Sequence, residues 1–68
     1  MKGKEIKMLR ILLGLKQEEI AGRLRVSRQS MSNYERNVKS IPGPVAALAE
    51  IIAKDNDIED VKWRTTTS

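Results

Sequence analysis

Sixty-eight residues with neither cysteine nor histidine allow one small domain near the lower size limit for a core that stands without metal or disulfide. They exclude disulfides, the usual zinc sites and nucleophile-plus-imidazole catalysis. The net charge of +4 is unevenly spread: residues 1–40 hold ten Lys or Arg against four Glu (+6), residues 41–68 three against five acids (−2), so the N-terminal half suits a polyanion.

Taken in order, Met1 to Lys4 reads as a flexible basic lead, residues 1–3 preceding any helix because Gly3 discourages one. From Lys4, Ile6, Leu9 and Leu13 recur on one helical face with Arg10 at its edge, and Gly14 supplies the C-terminal cap. Met8, Ile11, Leu12 and Leu15 form a second apolar side, from which Ile11 and Leu15 are expected in the core and Met8 is not. A second helix, about Gln17 to Leu24, turns Ile20, Ala21 and Leu24 inward. After a corner at Leu24, Arg25 and Val26, Ser27 is placed to cap a third helix, about Arg28 to Glu35, and Asn37 takes the left-handed position that closes it. Two short helices joined by a tight corner, about residues 16–36, read as a helix-turn-helix.

Ser40, Pro42, Gly43 and Pro44 mark Val38 to Pro44 as a loop. Pro44 suits the first turn of a fourth helix whose core stripe reads as Val45, Leu48, Ile51 and Ile52, ending near Lys54, with alanines keeping it slim. Beyond it, Asp57 to Lys62 fits a short fifth helix with Asp57 as its cap. The closing VKWRTTTS fits equally an extended arm alternating Val61, Trp63 and Thr65. The fold class is therefore all-α, a single domain of four to five helices.

The third helix carries the chemistry. At about 100 degrees per residue, Arg28, Gln29, Ser32, Asn33 and Arg36 fall within an arc of roughly 140 degrees, while Met31 and Tyr34 fall opposite and face the second helix. A solvated helix face would look similar on the wheel. Here, though, the forked and amide groups are those that match guanine and adenine edges in the major groove, and serine accepts either. No acid–base pair competes, because Glu18 and Glu19 point about 100 degrees apart, so an enzyme is not expected.

Leu9, Arg10, Gly14 and Leu15, then Gln17 to Ala21, Val26 to Arg28 and Tyr34 to Asn37 together resemble the helix-turn-helix family of the lambdoid phage repressors and Cro proteins, over about Ile6 to Val61. The resemblance implies a lambda-repressor-like fold, a Gln17 that bonds a phosphate at the start of the second helix, and base contacts from Arg28, Gln29 and Asn33, to which the wheel adds Ser32. Lys16, Arg25, Arg36 and Lys39 are assigned with Gln17 to the DNA backbone. The family also implies an ion pair between Arg10 and Glu35 and dimerisation through the C-terminal region, about residues 57–68, where Ile58, Val61 and Trp63 are apolar. Two positions depart from the family pattern. Arg25 stands where glycine is usual, at a left-handed cost of roughly 1 kcal/mol, and Lys16 replaces a capping Ser, Thr or Asn, offset by Glu18 and Glu19 in the first turn.

The implied function is sequence-specific binding of a palindromic DNA operator by a homodimeric transcriptional regulator, most simply a repressor. The other reading is a protein-interaction module of adaptor or antitoxin type, which would not need a polar, basic arc on the third helix. No cofactor, metal or small-molecule ligand is expected. Without a long apolar run or a signal-peptide core, the expected location is cytoplasmic.

Overall fold

The computed structural model describes residues 1–64, all of whose regular structure is helical: α1 (Gly3–Leu13), α2 (Gln17–Leu24), α3 (Arg28–Glu35), α4 (Gly43–Asp55) and α5 (Asp60–Trp63). None of these helices is long and apolar enough to cross a membrane. The eight-residue helices α2 and α3 are too short to persist alone, so packing must hold them. Each contributes one buried seam: Ile20, Ala21 and Leu24 from α2, Met31 and Tyr34 from α3. Ile6 and Leu9 of α1 and Val45, Ala49 and Ala53 of α4 complete the core with Trp63 of α5.

The chain leaves its first four helices by one device. Gly14 (φ 70°), Arg25 (φ 61°), Asn37 (φ 59°) and Asp57 (φ 56°) are all left-handed. After each, the next N–H reaches back across the helix end: Leu15 to the Arg10 carbonyl, Val26 to Ala21, Val38 to Asn33 and Ile58 to Ala53, at 2.9–3.1 Å. These paired reversals satisfy carbonyls that the helix leaves unbonded. Arg25 therefore does adopt the left-handed geometry that its family position demands.

Several expectations are corrected. The lead is shorter than residues 1–3, because α1 begins at Gly3, whose N–H donates to Asn37 Oδ1 at 3.1 Å. Gly3 suits this place because its Cα lies against the α3 terminus: an added Cβ would overlap the Tyr34 carbonyl oxygen and stand 2.7 Å from Asn37 Oδ1. Ile11 is exposed rather than core, since among the described residues no helix covers that side of α1, where Met8 and Leu12 are exposed with it. Leu15 is packed as expected. On α4, Val45, Ala49 and Ala53 form the buried stripe with Leu48 and Ile52 at its edges, and Ile51 faces out. Asp57 ends α4 instead of capping α5, whose first flanking residue is Glu59. Val61 and Trp63 sit on a helical turn, not an extended arm; the rest of that arm, from Thr65, lies outside the described residues.

Trp63 is the largest correction. Expected in a dimer contact, it is buried within its own chain at 1% exposure, because α5 packs on α1. Arg64 covers the indole with its guanidinium 4.5 Å from the ring centroid and is held by Glu50 of α4 at 2.8 Å. That bond, donated to the Glu50 carboxylate, raises the Arg64 pKa above its ordinary value.

Gly3 and Gly22 offer a matched test. Gly3→Ala should destabilise the domain by about 1–3 kcal/mol, since backbone must move to admit the methyl group. Gly22→Ala, in open space within α2, should stabilise it by roughly 0.5–1 kcal/mol. Urea unfolding of the two variants gives both signs.

Candidate nucleic-acid interface

Ser27 starts α3 by accepting a hydrogen bond from the Ser30 N–H at 3.0 Å, which fixes where the helix turns from the corner and hence which residues share a face. Met31 and Tyr34 enter the core. Arg28, Gln29 and Arg36 are then exposed, and Ser32 and Asn33 half-buried, on the opposite side. The expected arc is thus assembled on one accessible face. Within it, Asn33 Oδ1 accepts from Arg36 Nη2 at 3.0 Å and from Gln29 Nε2 at 3.4 Å. These contacts among exposed side chains orient the Asn33 amide before any partner arrives. Sequence reading placed Arg36 on a phosphate and did not anticipate its bond to Asn33.

The arc lies between two cationic grooves. One, of about 380 Å³, is lined by Arg10, Lys16, Gln17, Glu18 and Arg28. It sits at the start of α2, where unbonded N–H groups favour an anion. Lys16 gives that helix no side-chain cap; Glu19 instead accepts the Lys16 N–H at 2.8 Å, so it acts by direct bonding as well as through the dipole. The other groove, of about 330 Å³, lies at the far end of α3 and includes Lys2, Asn37, Lys39 and Ser40. Arg25, exposed at the corner, lines neither.

Behind the arc, Glu35 gathers three helices. Arg10 Nε donates to Glu35 Oε2 at 2.7 Å and Arg10 Nη2 to Oε1 at 3.2 Å. Gln17 Nε2 also donates to Oε1, at 3.2 Å. The side chains are 18% exposed for Arg10 and 4% for Glu35. A third Arg10 bond, from Nη1 to the Leu15 carbonyl at 3.1 Å, extends the tie to the α1–α2 link. Gln17, assigned from sequence to a phosphate alone, is therefore also part of the scaffold, and no sequence spacing signals that.

The model of the helix-turn-helix family matches residues 6–51, from α1 through most of α4. The chain belongs to that family, in its lambdoid repressor and Cro-type form. It is accordingly a DNA-binding regulator of transcription, with α2 and α3 as the two helices of the motif. Comparison with curated proteins and with solved structures gave no match. The family match stops before α5, the turn that carries Trp63.

The Glu35 node predicts a non-additive double-mutant cycle. Glu35→Leu should cost about 3 kcal/mol by leaving Arg10 without its carboxylate, and Arg10→Met a similar amount. The double variant should recover much of either loss. Simple additivity in chemical denaturation would mean that the pair contributes nothing through its mutual contact.

Proposed function

We propose that the domain represses transcription as a homodimer on a palindromic operator, with α3 in the major groove of each half-site. The observation that carries this reading is the accessible polar arc of Arg28, Gln29, Ser32, Asn33 and Arg36 between two cationic grooves. Bases and phosphates make different demands. Gln29 and Asn33 each hold an amide that donates and accepts at once, which suits the N6 and N7 edge of adenine. Arg28 suits guanine, and Ser32 is tolerant. Lys16 and Gln17 in one groove and Lys39 in the other hold the backbone, with Arg25 and Arg36 at the margins.

The size of the domain is compatible with two-fold symmetry. Half-sites one helical turn apart separate the reading helices by about 34 Å, and the domain measures 27 × 24 × 19 Å, so two copies side by side span a palindrome edge to edge. In this reading Ile58 and Val61 form the contact. Val61, 78% exposed, is the outer residue, and Trp63 supports the surface from within the core. Val61→Glu should then give a monomer in sedimentation with unchanged folding and much weaker operator binding, as the gain in effective concentration is lost. A variant that remains dimeric moves the interface to the Met8 side of α1.

Affinity for cognate and scrambled duplexes across a salt series separates reading from holding. Lys39→Ala should weaken all duplexes alike and flatten the plot of log affinity against log salt by roughly one unit. Asn33→Ala should leave that slope nearly unchanged and lose about 1–3 kcal/mol on the cognate site only. Equal weakening of both duplexes by Asn33→Ala would remove α3 from the role of reader.

A further inference from the structure

The four left-handed helix ends share a second feature with one exception. In this kind of ending, the residue after the left-handed position is commonly apolar and folds back on the side chain three or four places from the end of its own helix. Leu15, Val26, Val38 and Ile58 occupy that position. Leu15, Val26 and Ile58 are packed against the core. Val38 is 60% exposed.

A lone exposed valine is ordinary on a protein surface, so its place decides what it means. The Val38 N–H donates to the Asn33 carbonyl at 2.9 Å, which pairs Val38 with Asn33 as Leu15 is paired with Arg10 and Ile58 with Ala53. The helix positions that commonly meet such a side chain are here Asn33 and Ser32, two members of the polar arc. The same backbone geometry that presses the other three into the core therefore sets Val38 at the edge of the reading face. The other exposed large apolar side chains lie on α1, α4 and α5. Val38 is the one beside α3 among the described residues.

The major groove presents one apolar group, the C5-methyl of thymine. We propose that Val38 is a specificity-determining residue that covers the methyl group of a thymine at or next to the base pair met by Asn33. Asn33 would select the adenine edge by hydrogen bonding, and Val38 would add preference for a thymine by excluding water from its methyl. This rests on α3 being the reader.

The test uses the full chain and a duplex selected from a random pool. Each thymine is replaced singly by deoxyuridine, which lacks only the methyl group. Wild-type protein should lose about fourfold in affinity at one thymine per half-site, the value of one buried methyl. Val38→Ala should bind the thymine duplex about fourfold more weakly, show no further loss with deoxyuridine at that position, and keep the wild-type salt slope. Val38→Ile should retain the methyl preference. Independent losses from Val38→Ala and from deoxyuridine at every position would overturn the proposal, as would equal weakening of scrambled duplexes. Asn33→Ala on the same duplexes distinguishes the two readings: if it erases preference at one base pair while Val38→Ala shows no coupling to any methyl, only the role of Val38 fails.

Discussion

A carboxylate that keeps 4% of its surface needs donors in place of the water it has lost, and the donors around Glu35 come from two other helices. Arg10 reaches it from α1 with two bonds and Gln17 from α2 with one. The angle at which α3 leaves the domain is thereby tied to both helices behind it. The short core does not set this angle alone, since aliphatic contacts lack direction, whereas a forked guanidinium on a carboxylate has it. Because Gln17 and Arg10 also line the groove at the start of α2, the same contacts fix the distance between that groove and the polar arc of α3.

The domain is small enough for its chain reversals to matter as much as its core. Four successive helices end through a left-handed residue, and only one of the four is glycine. Asn37 adopts that conformation at low cost and gains a second use, its Oδ1 accepting the N–H of Gly3. The start of α1 is thus fastened to the end of α3. Arg25 has no such local compensation in its backbone, and the two helices it joins supply the stability that keeps it left-handed, Leu24 and Met31 being buried on either side of the corner.

Helix α3 divides its labour by face. Met31 and Tyr34 hold it down, and the arc opposite leaves polar groups pre-arranged around Asn33. A rigid helix holds such groups at fixed positions better than a loop does. The C-terminal turn α5 lies beyond the family match and serves the core from one side through Trp63, while Val61 looks outward.

The local pattern was enough to place the helices, since periodic apolar residues, a serine cap at Ser27 and left-handed formers at Gly14 and Asn37 act within a few residues of one another. The faces of α3 were legible for the same reason: a buried seam and a polar arc need only the angular step of a helix. The ion pair of Arg10 and Glu35 was legible through family resemblance, not spacing. What sequence left undetermined were matters of distance between segments. Trp63 looked like a dimer-contact residue because nothing near it in the chain shows that α5 returns to α1. Ile11 looked like core because periodicity cannot say which of two apolar sides a neighbouring helix will cover. Gly3 looked like a helix breaker until the Tyr34 carbonyl was found against it, and Asp57 looked like a cap until α4 proved to end there. Gln17 looked like a phosphate ligand alone, because the bond that also makes it scaffold joins residues 18 positions apart, a separation that only tertiary packing closes.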